Sequence, residues 1–168
     1  MKKIDTEPRL IIDTREQTPL EFAHLAYTTG TLQSGDYSAV GLEDAFCVER
    51  KTIADLAGSL TRERARFMRE MHRLRGFHNA YLLIVGSEQD TASLAAKGRV
   101  NMKQIYNSLL AIQARYGVHI VWVDTPEEAA LLVETWAFTA YREAMKPAGY
   151  ALSFPAWVKG NFRTHLTA

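Results

Sequence analysis

Asp36, Glu49 and Lys51 are the residues whose types and spacing best support chemistry. Segments 36–40 and 45–51 read as short strands joined by a turn at Gly41-Leu42-Glu43-Asp44, because Gly and Asp punctuate β-prone apolar runs. A turn centred between Leu42 and Glu43 pairs positions whose numbers sum to 85, which sets Asp36 opposite Glu49. Like charges so placed cost some tenths to about 1 kcal/mol, so the pair needs either full solvation or a cation between its oxygens. A hard divalent ion with oxygen ligands answers that need. Strand alternation puts Lys51 on the face of Glu49 and turns Arg50 to the other. Two carboxylates and an ammonium on one face can hold a metal, which lowers the pKa of a water that Lys51 positions. That is the chemistry of phosphodiester hydrolysis. The plainer reading is an exposed hairpin face of solvated charges, as for any acid pair taken alone.

The elements around this hairpin predict an α/β fold. Residues 9–13 carry Leu-Ile-Ile and stop at a polar Asp-Thr-Arg-Glu cluster, as a buried first strand does. Segments 26–32, 36–40 and 45–51 follow as strands of a meander. Thr52 caps a short helix with Asp55 in its first turn. Gly58 suggests a break before a longer helix over 61–75, which Gly76 ends. Strand 80–85, helix 102–116, strand 118–123 and helix 126–144 complete the alternation, and Pro-Glu-Glu suits the last helix start. Residues 147–168 read as a turn-rich tail.

Composition narrows the class. The chain has 168 residues, 47% of them hydrophobic, enough for one domain with a core. No apolar run approaches the roughly 18 residues of a membrane span. Asp5, Glu7 and Pro8 interrupt a signal-peptide reading of Lys2 and Lys3. One cysteine, Cys47, cannot form an internal disulfide, so a reducing compartment is expected: cytoplasm in a prokaryotic or phage context, nucleus in a eukaryote. Gly30 and Gly35 are followed by Asp36 instead of Lys-Ser/Thr, so no phosphate-binding loop is expected.

A formal charge of +1 neither demands nor excludes nucleic acid, but its distribution is informative. Arg62, Arg64, Arg66, Arg69, Arg73 and Arg75 face only Glu63 and Glu70 within 61–75. At helical spacing Arg62, Arg66, Arg69 and Arg73 form one stripe, with Phe67, Met71 and Leu74 turned away from it. Arg64 lies beside the apolar side, towards the sheet. Such a stripe suits sequence-independent phosphate contacts on DNA. The alternative is a solvated helix with pairs such as Arg66–Glu70.

Gly35-Asp36-Tyr37, then Val48-Glu49-Arg50-Lys51 and Asp55, resembles the Gly-Asp…Glu-Arg-Lys-x-x-x-Asp signature of the XPF-family structure-specific endonucleases. Ile11-Ile12-Asp13-Thr14-Arg15-Glu16 is similar to that family's first motif, and Ser59-Leu60 with Arg64 to its next. The resemblance implies a restriction-endonuclease-like core, a mixed central sheet flanked by helices, with the nuclease domain over 1–146 and a tail over 147–168. It implies Asp36, Glu49 and the Arg50 carbonyl as ligands of Mg²⁺, with Mn²⁺ able to substitute, and Lys51 supporting the attacking water. Asp13, Arg15, Glu16, Arg50 and Asp55 would complete the site, with Arg64 in support. For Asp13 the alternative is a salt bridge with Arg15 or Arg50, since an unpaired buried carboxylate is costly.

The implied function is cleavage of branched or flap-type DNA, or single-strand/double-strand junctions, in repair or recombination. Residues 147–168 are too few for the tandem helix-hairpin-helix motifs of many relatives, so a separate DNA-binding or helicase partner is expected. Two other readings stand beside it: a catalytically silent nuclease-like DNA-binding subunit, and a resolvase or restriction-type nuclease on the same fold. Helix 126–144 is apolar around most of its circumference, leaving Glu134, Thr135 and Thr139 as a narrow polar strip. Either the tail, with Phe154, Trp157 and Phe162, or a second copy of the chain must cover it. A homodimer is the expectation.

Overall fold

The computed structural model describes residues 7–98 and 101–161. Its strands are β1 (Leu10–Asp13), β2 (Tyr27–Gly30), β3 (Tyr37–Ala39), β4 (Phe46–Thr52), β5 (Asn79–Val85) and β6 (His119–Val123). Its helices are α1 (Ile53–Leu60), α2 (Arg64–Leu74), α3 (Glu88–Ala96), α4 (Met102–Tyr116), α5 (Pro126–Met145) and α6 (Ala156–Asn161). The strands form one mixed sheet in the order β2-β1-β3-β4-β5-β6, the expected α/β architecture. No helix among the described residues is long and apolar enough to cross a membrane.

Alternation divides the core in two. Leu82 and Ile84 join Cys47, Ile53, Leu56, Phe67, Met71 and Ile105 under α1, α2 and α4. Leu83 and Val85 join Leu10, Ile12, Val48 and Val133 under α5. Continuous apolar runs such as Tyr81–Val85 thus reflect a strand buried on both faces, as in parallel pairing with β4 and β6. On β4 the same alternation sends Glu49 and Lys51 towards α1 and α2, and Arg50 towards the α5 side.

Four expectations are corrected. The first strands are not a meander: β2 pairs in parallel with β1, and β3 pairs antiparallel with the other edge of β1. The mostly exposed Tyr27–Gly30 has no buried face to demand a central place, so it takes the sheet edge. Gly58 does not break a helix, because α1 runs through it to Leu60. The break comes at residues 61–63, so Arg62 lies in the turn before α2. Helix α6 replaces part of the expected turn-rich tail. The strip at Glu134 is not solvated: Glu134 is 1% exposed and accepts the N–H groups of His24 and Leu25 at 2.6 and 2.8 Å.

The tail covers α5. Phe138 meets Phe154 and Trp157 at centroid distances of 5.8 and 6.1 Å, Val158 is fully buried, and Arg142 stacks over Phe154 at 4.5 Å. Trp157 also stacks on His24 at 4.7 Å. Phe162 lies outside the described residues.

Candidate active site

Gly35 lets the chain close on β4. Its φ is +76°, a region that glycine enters without steric cost. A Cβ there would collide with Cys47 Sγ and stand 2.9 Å from the Val48 carbonyl oxygen. The Asp36 N–H donates to that oxygen at 2.8 Å, and the Arg50 N–H donates to Asp36 Oδ2 at 2.7 Å. Tyr37 pairs with Val48, the register in which numbers sum to 85. Asp36, one residue before β3, therefore sits beside Glu49.

Neither acid is adequately neutralised. Glu49 is 3% exposed and accepts a hydrogen bond from Lys51 Nζ. Burial pushes its carboxyl up, to about 8, and the charge of Asp36 adds to the shift. Burial also pushes Asp36 up, to about 6, against the lowering effect of the Arg50 N–H. Burial opposes the charge of Lys51 too, but Glu49, with Glu70 and Asp36, holds the ammonium above its ordinary range. Two adjacent carboxylates that resist ionisation are a donor set suited to a hard cation. No cluster of three His, Cys, Asp or Glu side chains is arranged for a metal among the described residues, so any cation here would rest on two acids and backbone oxygen.

The remaining predicted residues form a collar. Asp13, 2% exposed, accepts from the Arg15 N–H at 2.9 Å, Arg15 Nε at 2.6 Å, Arg15 Nη2 at 3.0 Å and the Leu32 N–H at 2.7 Å. Burial would raise its pKa, but these bonds outweigh it and hold the carboxyl below its usual range. The Arg15 ion pair offered as the alternative reading is thus present. Glu16 accepts from Arg50 Nη2 at 3.3 Å, and that nitrogen also reaches the Thr18 carbonyl at 2.9 Å. Asp55 is exposed at the start of α1, exchanging bonds with Thr52 as a cap. It lines a small cleft together with Lys51.

Arg62, Arg66, Arg69 and Arg73 are all exposed. Arg66 pairs with Glu63 at 3.1 Å, so the Arg66–Glu70 pair does not form. Arg64 is exposed, with its Nη1 3.4 Å from the Leu60 carbonyl oxygen. It precedes Phe67 by one turn on the packed side, where its neighbour is Ser108 of α4 at 3.4 Å. Sequence reasoning passed over Glu70, which lines the cleft beside Lys51. Its signal was its place next to Met71 and three residues after Phe67, on the packed side of an arginine-rich helix.

The model of the ERCC4 domain matches residues 12–135, well over half of the chain. Among solved structures, XPF from Aeropyrum pernix superposes with a TM-score of 0.64 at 24% identity, covering 88% of this chain and 66% of that one. XPF from Aeropyrum pernix in complex with DNA gives 0.60 at 24% identity, covering 84% of this chain and 66% of that one. The chain thus spans just under two thirds of those structures, and the likeness establishes the fold. No curated protein matches the sequence.

Proposed function

The chain belongs to the ERCC4 domain family, and from that membership we propose that it is a metal-dependent endonuclease hydrolysing phosphodiester bonds in DNA. The observation that carries this reading is the under-neutralised pair of half-buried Asp36 and buried Glu49, with Lys51 on the same face as Glu49. Asp36, Glu49 and the Arg50 carbonyl would hold Mg²⁺, or Mn²⁺ in its place. The cation would act as a Lewis acid towards the scissile phosphate and the attacking water. Lys51 orients that water and offsets developing negative charge. Asp55, at the rim of the cleft, bounds the space on the α1 side. Asp13 with Arg15, and Glu16 with Arg50, fix the strand ends that carry the two acids. Exposed Arg62, Arg66, Arg69 and Arg73 hold the phosphates of a duplex without reading bases, and Arg64 ties α2 to α4.

A branched or flap-type substrate, in repair or recombination, follows from the family and is the finer part of the proposal. A panel of flaps, forks, four-way junctions and linear duplex with Mg²⁺ or Mn²⁺ tests it. Cleavage of junctions in preference to linear duplex is expected. Equal cutting of linear duplex points to the restriction-type reading, and binding without cutting to the silent subunit. Cleavage that survives both EDTA and Asp36→Ala removes the mechanism. The presence of Asp36, Glu49, Lys51 and Asp55 together favours the enzyme over the silent subunit.

A homodimer is retained with a different surface. Since the tail covers α5, the edge formed by α4 and β6 is the better candidate: Tyr106 and Leu110 are exposed there, and among the described residues β6 has a neighbour on one side only. A second copy, or a separate DNA-binding or helicase partner, would supply further grip on the substrate.

A further inference from the structure

Glu70 departs from the ordinary behaviour of an acid on a basic helix. Arg66 and Arg73 lie four residues before it and three after it, positions from which an arginine ordinarily pairs with a glutamate. Arg66 is instead bonded to Glu63, and Glu70 has no ion pair or hydrogen bond among the described residues. Its side chain is half-buried in a polar cleft of about 260 Å³ lined also by Lys51, Asp55, Ser59 and Phe67. Phe67 precedes Glu70 by three residues, so the two share a face of α2. Lys51 Nζ stands 5.7 Å from the Phe67 ring centre. Glu70 and the ammonium that Glu49 holds thus line one cleft. The charge of Glu70 is felt at Lys51, Glu49 and Arg15.

We propose that Glu70 is a positioning residue of this site, receiving the Lys51 ammonium when Glu49 is committed to a divalent cation. The inference rests on the reading of Asp36 and Glu49 as the carboxylates for that cation. A lysine bonded to Glu49 competes with a cation for the same oxygens. Releasing it into a half-buried cleft with no second carboxylate would leave an unpaired charge, which is strongly unfavourable. Asp36 Oδ2 already accepts the Arg50 N–H, and Asp55 Oδ2 the Thr52 hydroxyl. Glu70 is the acid beside Lys51 with no bond of its own. Lys51 therefore has two stations, Glu49 without the cation and Glu70 with it.

Mn²⁺ binding to the intact chain, measured by electron paramagnetic resonance, tests this without any cleavage. Four forms are compared: wild type, the isosteric Glu70→Gln, Lys51→Met, and the double variant. Glu70→Gln is expected to weaken Mn²⁺ about tenfold, a coupling within the range of neighbouring charged groups. That effect should vanish in the Lys51→Met background, where there is no ammonium to rehouse. A loss that persists with Lys51→Met makes Glu70 a ligand or a packing residue and overturns the proposal. An unchanged affinity in Glu70→Gln overturns it equally. A wild type that binds no Mn²⁺ removes both this inference and the metal reading. Coupled Mn²⁺ binding without cleavage of any DNA removes the nuclease reading alone.

Discussion

Asp13 and the Asp36–Glu49 pair are acids largely withdrawn from solvent in neighbouring parts of one sheet, yet their surroundings push them in opposite directions. Asp13 accepts four N–H bonds and is held below the ordinary carboxylate range. Asp36 and Glu49 have fewer donors and are held above it, Asp36 by burial and the charge of Glu16, Glu49 by burial and the charge of Asp36. The two acids of the pair are also set deeper among protein atoms than Asp13, so depth and donor supply together make the difference. An acid whose lone pairs are filled by the protein is part of the frame. An acid left short of positive charge has room for something the protein does not supply.

The contrast breaks most visibly in activity. Asp36→Ala, Glu49→Ala or Lys51→Ala should lower cleavage by about 10³-fold or more, with the fold kept intact, as circular dichroism would show. A variant that keeps its activity places the chemistry elsewhere. The second effect concerns pH. The carboxyls of Asp36 and Glu49 are raised on folding, so between about pH 4, the unfolded range, and their raised folded values the folded chain binds more protons than the unfolded one. Metal-free stability should therefore fall as pH rises from 5.5 to 8.5. Mn²⁺ should oppose that fall, with a stabilisation that grows with pH because cation and proton compete for the same oxygens. Asp13 has the opposite sign: its contribution is present above the unfolded range and disappears only at lower, acidic pH. A melting temperature that is flat across 5.5–8.5 contradicts the first half of this comparison.

Asp13→Ala sharpens the other half. It leaves the buried Leu32 N–H unpaired, which should cost about 2 kcal/mol. Loss of the ion pair itself adds little, because Arg15 is 66% exposed. Chemical denaturation measures this, and a cost near zero would make the four bonds incidental. The smaller effects lie on the surface. Replacing Arg62, Arg66, Arg69 and Arg73 with Ala should flatten the dependence of log affinity on log salt by about 0.9 per lost phosphate contact. An unchanged slope leaves the stripe facing solvent alone. Sedimentation equilibrium at micromolar concentration should give a dimeric mass, lowered by Leu110→Glu, and a monomeric wild type removes the dimer. Trp136→Glu is not a clean alternative, since Trp136 stacks on Tyr81 at 4.1 Å within the fold.

The β3–β4 register was legible because a two-residue side-chain period and a glycine-bearing turn leave little freedom. The first residues of α1 and α5 were legible for a similar local reason: Thr52 caps one through a side-chain bond, and Pro126-Glu127-Glu128 opens the other. Partnership was less legible. Nothing in Tyr27–Gly30 says that it pairs in parallel with β1, because an exposed strand carries no face that must meet another. Glu134 misled for the converse reason. Helical spacing grouped it with Thr135 and Thr139, while its partners, the N–H groups of His24 and Leu25, come from more than a hundred residues away. The acids of the site were found by type and spacing. Their condition, one filled and two short of charge, needed three dimensions, since it depends on which backbone N–H groups arrive.

Gly35 bears on how inactive members of such a family are recognised. Loss of activity is usually sought in decayed acids, yet a single methyl group at position 35 would collide with Cys47 and the Val48 carbonyl and pry Asp36 from its neighbour. A descendant altered only there would keep every acid and the Glu-Arg-Lys run intact in its sequence while its two carboxylates no longer shared a site. In this lineage an inventory of charged residues can certify a dead enzyme as a living one, and the residue that tells them apart has no functional group at all.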